Sequence, residues 1–163
     1  MEVVPNYNVS TTTMLLKEQH HPDYNTIIHD VLGVYYTKQT VKSMLNEACM
    51  ERGSTYDGRI QATRVQTRCI RKTPLVICPV EKIYTFPMVS PSNYGCPWCF
   101  PVHIIDAEQE ENGQLRVAFS NGTFTSIEGS LYTFTKQKER ADHTLNHFAN
   151  KLLRQLRRVQ LFI

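Results

Sequence analysis

The sequence predicts an α+β fold in a single domain, residues 1–163, with an antiparallel, β-rich centre. Short stretches of β-branched, aliphatic and aromatic residues, separated by turn residues, recur through most of the chain. One short helical pattern interrupts them, and a long amphipathic helical pattern closes the chain. The 163 residues are enough for one hydrophobic core and few for two.

The first half contains two predicted strands and a short helix. TTTMLLKE (11–18) and VLGVYYT (31–37) have the composition of strands. TVKSMLNEACMER (40–52) carries apolar residues at helical spacing. Thr40 is a suitable N-cap, and Gly53 lies where a left-handed residue commonly ends a helix.

A basic, glycine-containing stretch follows the short helix. ERGSTYDGRIQATR (51–64) is predicted to be a flexible loop. ATRVQTRCIR (62–71) roughly alternates in polarity and is predicted to be a strand. In a strand, Arg64 and Arg68 project from the same side of the sheet. An ordinary solvated loop is the alternative to a ligand-binding one.

Further strands are predicted in the second half. PLVICPVEKIYTFPMV (74–89) indicates two short strands broken by Pro79, and VHIIDAE (102–108) indicates another. QLRVAFSNGTFTSIEG (114–129) indicates a hairpin, because Asn-Gly suits a tight turn.

The end of the chain predicts a long amphipathic helix. In KERADHTLNHFANKLLRQLRRVQLFI, apolar residues recur at steps of three and four, and basic residues project from the opposite face. The apolar face is expected to pack on the sheet or on a second protomer. Its residues are Leu145, Phe148, Leu152, Leu156 and Val159.

The charge distribution is more informative than the net charge of +3. Residues 52–72 hold six basic residues and one acid, and residues 136–158 hold seven and two. Acids cluster instead in DAEQEE (106–111). This polarity favours a face that binds a polyanion, although an uneven distribution can arise by chance.

The candidate sites for enzyme or metal chemistry are weak. CPWCFPVH (96–103) could indicate a thiol–disulfide site or three zinc ligands, but it lacks the following helix and a fourth ligand. Two half-buried thiols flanking Trp98 in a tight turn are the default. His20-His21 and the pair His143 and His147 lack further ligands. No enzymatic activity, cofactor or metal is therefore expected.

The location of the protein is predicted from what its sequence lacks. The longest apolar runs fall far short of the roughly 20 residues that span a bilayer. The N-terminus has no signal-peptide pattern, and the five cysteines are an odd number. A cytoplasmic protein with reduced thiols is expected, with no membrane partner.

Four motifs follow one another along the chain: CMERGSTYDGR, KTPLVICPVEKIYTFPMVS, GCPWCFPVHI and VAFSNGTFTSIEGSLYTFTKQ. In this order they resemble the ComK family of bacterial competence transcription factors. The resemblance implies a DNA-binding activator of genes for DNA uptake. It also implies binding to A·T-rich boxes, largely from the minor groove, and assembly into dimers and higher oligomers on double-stranded DNA.

The resemblance also suggests an alternative. Longer family members carry a C-terminal tail through which adaptor and protease machinery controls their level. This chain stops at Ile163, so that control is not expected here. A shortened paralogue that dimerises with a full-length relative, and binds DNA weakly by itself, is the alternative function.

The predicted DNA-binding residues combine the basic segments with the matched block, in which Gly53, Ser54, Tyr56, Gly58 and Arg59 correspond to the family pattern. Ser54 and Tyr56 are expected to position the loop. The residues expected to contact phosphates and grooves are Arg52, Arg59, Arg64, Arg68, Arg71 and Lys72, with Lys151, Arg154, Arg157 and Arg158 as a second surface.

Overall fold

The computed structural model describes residues 1–161, which form nine strands in two antiparallel sheets and three α-helices. The α+β class predicted from the sequence is confirmed. In chain order the strands are β1 (Thr13–Glu18), β2 (Thr26–Asp30), β3 (Gly33–Thr37), β4 (Leu75–Cys78), β5 (Ile83–Pro87), β6 (Trp98–Cys99), β7 (Ile104–Gln109), β8 (Gln114–Phe119) and β9 (Phe124–Glu128). The helices are α1 (Val41–Met50), α2 (Tyr56–Thr67) and α3 (Leu131–Gln160).

The larger sheet has six strands in the order β3-β2-β1-β6-β5-β4, and the smaller has the order β7-β8-β9. The core forms two clusters that share the larger sheet. One contains residues of α1 and α2, together with Leu16, Ile28 and Trp98 of the sheet. The other joins Leu15 and Phe86 of the same sheet to the smaller sheet and α3. Successive residues of a strand point to opposite faces, so the six-stranded sheet is the middle layer of the fold.

Local signals place α1 where the sequence predicts it. Thr40 accepts a hydrogen bond from the Ser43 backbone N–H at 3.2 Å, which caps the helix. Gly53 adopts φ 87° just after the helix, a conformation that glycine tolerates without a Cβ clash. Val41, Met44, Leu45 and Ala48 are buried as their spacing predicts.

The prediction of a loop and strand over residues 51–71 is wrong. Only residues 51–55 form a turn, and Tyr56–Thr67 form the helix α2. The buried residues of α2 are Tyr56, Ile60 and Thr63, which follow steps of four and three. Residues 62–71 do not form a strand despite their roughly alternating polarity. The side chains of this region that pack against the core lie between residues 56 and 63, and they have helical spacing.

The predicted tight turn around Trp98 is also wrong. Trp98 and Cys99 form β6, which pairs with both β1 and β5 at the centre of the larger sheet. Cys96 and Cys99 are buried rather than half-buried. Two residues are enough for a strand here because neighbours on both sides satisfy their backbone groups.

The two hairpins near the ends of the fold differ from the sequence prediction in detail. The sequence does not predict β2, although only two residues separate β2 from β3. The β8–β9 hairpin is confirmed, but among its turn residues only Gly122 adopts a positive φ, 87°. The helix α3 begins at Leu131, earlier than the apolar pattern alone indicates.

Candidate nucleic-acid interface

The turn between α1 and α2 holds the residues of the GSTYDGR block, and most of them support the local fold. Thr55 caps α2 by accepting from the Gly58 N–H at 3.0 Å. A Cβ on Gly58 would lie 3.1 Å from the Thr55 hydroxyl and 3.2 Å from the Ser54 hydroxyl, so a side chain there would crowd the cap.

Tyr56 turns inward at the start of α2. Its ring packs edge-on against Trp98, and its backbone N–H donates to the Asn46 side chain at 2.9 Å. Burial raises the pKa of Tyr56 to about 12, so the phenol stays neutral. Ser54 is half-buried, and its backbone N–H donates to the Cys49 carbonyl at 3.3 Å. Both residues therefore fix the turn between the helices.

Arg59 also points into the protein. It donates from Nη2 to the Arg52 carbonyl at 3.1 Å and from Nη1 to the Val76 carbonyl of β4 at 3.3 Å. Its Nε is buried and has no hydrogen-bond partner within residues 1–161. The guanidinium thus ties α2 to the preceding turn and to the edge strand of the larger sheet.

Arg52 is engaged in a similar way. It donates to the Ala48 carbonyl at 2.9 Å and lies 3.6 Å from the Glu51 carboxylate and 3.8 Å from that of Glu81. Its side chain is 22% exposed. Neither Arg52 nor Arg59 presents a free guanidinium to a ligand in this conformation, although both remain predicted DNA-binding residues.

In this region of the chain, the exposed arginines lie at the end of α2 and in the segment 68–74, here called the connector, which leads to β4. Arg68 ends α2 with φ 61°, and Lys72 has φ 48°. Arg68 and Arg71 are exposed and Lys72 is half-buried. Arg64 is also exposed and donates from Nε to the Thr73 hydroxyl at 3.2 Å.

The helix α3 fixes the backbone of the connector. Gln137, which is 2% exposed, donates from Nε2 to the Lys72 carbonyl at 2.9 Å and to the Pro87 carbonyl at 2.8 Å. Arg140 donates to the Arg71 carbonyl at 2.6 Å. The connector is therefore held against α3 while its basic side chains face outward. Gln137 and Arg140 escaped the sequence analysis because their partners are 65 and 69 residues away.

A cleft of about 700 Å³ lies beside the connector. Arg64, Arg71 and Lys72 line it, facing Ser90 and Pro91 and the start of α3. None of its lining residues carries a carboxylate. Three cations converging without a counter-charge give this cleft a positive potential.

The second basic surface lies further along α3, next to α2. Gln66 of α2 accepts from Lys151 Nζ at 3.2 Å and from His147 Nε2 at 2.9 Å, which ties the two helices together. Beyond this contact Arg154, Arg157 and Arg158 are exposed. We call this surface and the connector side chains together the basic band: Arg64, Arg68, Arg71, Lys72, Lys151, Arg154, Arg157 and Arg158.

Acids are absent from the two segments that form the basic band. No Asp or Glu occurs between Gly58 and Val80, or between His143 and the end of the chain. The cluster of Asp106, Glu108, Glu110 and Glu111 lies on β7 and the turn to β8. The structure thus places most of the predicted DNA-binding residues on one run of α2, connector and α3.

The predicted apolar face of α3 divides into two parts. Leu145 is buried in the core and Phe148 packs partly against it. Leu152 is half-buried, whereas Leu156 and Val159 are 58% and 56% exposed. The first part thus packs on the body of the protein, and the last turns extend beyond it.

The cysteine and histidine motifs do not form a reactive or metal-binding group in the described residues. Burial raises the pKa of Cys96 to about 11 and that of Cys99 still further, which disfavours the thiolate. His103 donates to the Thr11 carbonyl at 2.5 Å. No group of three metal ligands occurs within residues 1–161, and no helix in that range is long and apolar enough to cross a bilayer.

Comparison with known proteins identifies the family. A family model described as ComK protein matches residues 4–152. The chain belongs to the ComK family. It is 29% identical over 121 residues to the competence transcription factor of Bacillus subtilis (strain 168), a match that covers 68% of this chain and 63% of that protein. Because less than two thirds of the relative is covered, its activity does not transfer by similarity alone. No solved structure matches the chain.

Proposed function

We propose that this ComK-family chain is a competence transcription factor that binds double-stranded DNA through the basic band. The observation that carries the proposal is the connector, where Arg68 and Arg71 face solvent from a backbone that α3 holds in place. A fixed backbone lowers the entropy lost when a side chain is immobilised on a ligand. The name of the Bacillus subtilis relative supports a role in transcription.

The basic band favours phosphate and minor-groove contacts. Arginine forks pair bidentately with phosphate oxygens. Arginine is also the side chain that enters a narrow A·T-rich minor groove, where the negative potential is strongest. We therefore propose a preference for A·T-rich sites, with the connector at the minor groove and the distal residues Arg154, Arg157 and Arg158 on neighbouring phosphates.

Within this proposal Arg52, Arg59, Ser54 and Tyr56 act indirectly. Their contacts fix the turn between α1 and α2, and so the direction in which α2 delivers the connector. In this conformation they position the interface, and direct contact of Arg52 or Arg59 with DNA would require its guanidinium to leave the carbonyls that it binds.

We also propose that the protein assembles as a dimer or higher oligomer through the distal part of α3. Leu156 and Val159 are exposed there, and an apolar stripe along a helix is commonly buried against a second helix. The basic side chains of the same turns lie on another face, so assembly leaves them available for DNA.

The decisive experiment is a binding titration of a duplex with two A·T-rich boxes and a G·C-rich duplex of equal length, repeated across a salt series. We expect tighter binding to the A·T-rich duplex and an affinity that falls steeply with salt, because bound counterions are released. Equal, weak binding to both duplexes would contradict the proposal. An interaction protein that acts through a full-length relative would then be the better account.

A further inference from the structure

The connector carries one exposed apolar side chain among its cations. Ile70 is 59% exposed and lines the basic cleft together with Arg64, Arg71 and Lys72. The two residues that precede it are Arg68, which is exposed, and Cys69, which is half-buried. A single exposed apolar side chain is common on protein surfaces. The informative feature of Ile70 is therefore its position among cations rather than its exposure.

The backbone that presents Ile70 is tightly constrained. The Thr73 hydroxyl contacts the Cys69 carbonyl at 2.8 Å and the Ile70 carbonyl at 3.2 Å. Arg140 of α3 binds the Arg71 carbonyl on the other side. Left-handed conformations at Arg68 and Lys72 bracket the segment, and such conformations in non-glycine residues persist only where surrounding contacts hold them. Ile70 is therefore displayed from a fixed frame.

The surroundings of Ile70 differ from those of Ile105, another exposed isoleucine. Ile105 on β7 is 69% exposed, but it precedes Asp106 in the acidic cluster. A polyanion would be repelled there and attracted to the connector. Ile70 thus combines an apolar tip, a rigid support and flanking guanidinium groups.

These three features are those of a minor-groove wedge. Architectural proteins insert an apolar side chain between two base pairs, while neighbouring basic residues hold the phosphates on each side of the kink. Resting on the DNA-binding function proposed above, we infer that Ile70 inserts at a base-pair step, with Arg68 and Arg71 on the flanking backbone. The favoured steps are TA steps, which unstack most easily within A·T-rich sequence.

The test places 2-aminopurine at a central TA step of an A·T-rich duplex and measures its fluorescence on saturation with the full chain. Unstacking raises this fluorescence, and a donor–acceptor pair on the duplex ends measures the accompanying bend. We expect a rise in fluorescence and a bend of about 20° or more for the wild type. Ile70→Ala should lose most of both signals at saturation, and Ile70→Met should retain them.

The controls separate the wedge from binding itself. Ile105→Ala removes an even more exposed isoleucine and should leave both signals unchanged. Circular dichroism of Ile70→Ala should match the wild type, because the side chain is exposed. If the wild type does not bind the A·T-rich duplex, the proposed function fails. If it binds without unstacking, or if saturated Ile70→Ala retains the unstacking, the wedge is overturned and DNA binding stands.

Discussion

The α1–α2 turn and the connector are both rich in arginine, yet they use it in opposite ways. In the turn, the guanidinium groups of Arg52 and Arg59 donate hydrogen bonds to backbone carbonyls of the protein. In the connector, Arg68 and Arg71 face solvent, and Arg140 of α3 holds the backbone carbonyl of Arg71. A motif can therefore be arginine-rich because it folds a helix pair or because it binds a ligand.

The residues of the block GSTYDGR (53–59) have a structural explanation. Gly53 adopts the positive φ that ends the first helix, and Gly58 leaves room for the cap of the second. Tyr56 anchors the turn in the core. Most residues of the block thus have a role within the protein without DNA, and the block alone does not argue for a direct DNA contact.

The largest expected effect comes from removing Arg59, whose guanidinium faces into the protein. Arg59→Ala should lower the free energy of unfolding by about 4 kcal/mol, because two carbonyls lose their donor at about 1–3 kcal/mol each. Urea unfolding measures this loss, and Arg71→Ala is the matched control, with an expected change within about 0.5 kcal/mol. If Arg59→Ala is as stable as the wild type but binds DNA more weakly, Arg59 contacts DNA instead of supporting the fold.

Burial should also govern His29, a third potential cation. Burial, aided by Lys17, lowers the pKa of His29 from 6.5 to about 4. The unfolded chain binds a proton near pH 6.5 and the folded protein only near pH 4. The contribution of His29 to the free energy of unfolding is therefore fully present above pH 6.5. It is lost as the pH falls toward 4, by at most about 3 kcal/mol.

The difference between wild type and His29→Gln isolates this contribution from that of the other titrating groups. Unfolding free energies of both proteins should be compared from pH 7 to pH 4. We expect the variant to show a shallower loss on acidification. Parallel curves would mean that His29 is accessible to protons in the folded protein.

On the exposed side of the comparison, charge should matter for DNA and not for folding. Arg68→Ala combined with Arg71→Ala should reduce the slope of log affinity against log salt by about 2, because two phosphate contacts are lost. Arg116→Ala with Lys82→Ala removes the same charge outside the basic band and should leave the slope unchanged. An equal effect of both pairs would indicate a general field rather than a local interface.

The smallest expected effect is that of Leu156→Ala in the distal part of α3, and Leu145→Ala in its first part is the reference. Leu145→Ala should cost about 3 kcal/mol of stability because Leu145 is buried in the core. Leu156→Ala should change the stability of the dilute protein by about 0.5 kcal/mol or less. If this part of the helix forms an oligomer, the cost of Leu156→Ala should grow with protein concentration. A cost that does not depend on concentration would contradict assembly through α3.

Much of the fold follows from local sequence signals. Thr40 and Gly53 mark the ends of α1 because capping depends on residues close in the chain. The steps of three and four in α3, and the β8–β9 hairpin, are equally local. The segment 56–67 could have been assigned from the cap Thr55 and the buried stripe of Tyr56, Ile60 and Thr63, but the apparent alternation nearby obscured it.

The sequence by itself determined the α+β class, the capped helix α1, the long final helix and the segregation of basic from acidic segments. Only the tertiary structure decided which arginines bind backbone carbonyls of the protein, why the two-residue strand β6 is stable, and how Gln137 and Arg140 hold the connector. The reason is physical. Caps and periodicity depend on residues a few positions apart, whereas the partner of a guanidinium is chosen by chain segments that meet only after folding.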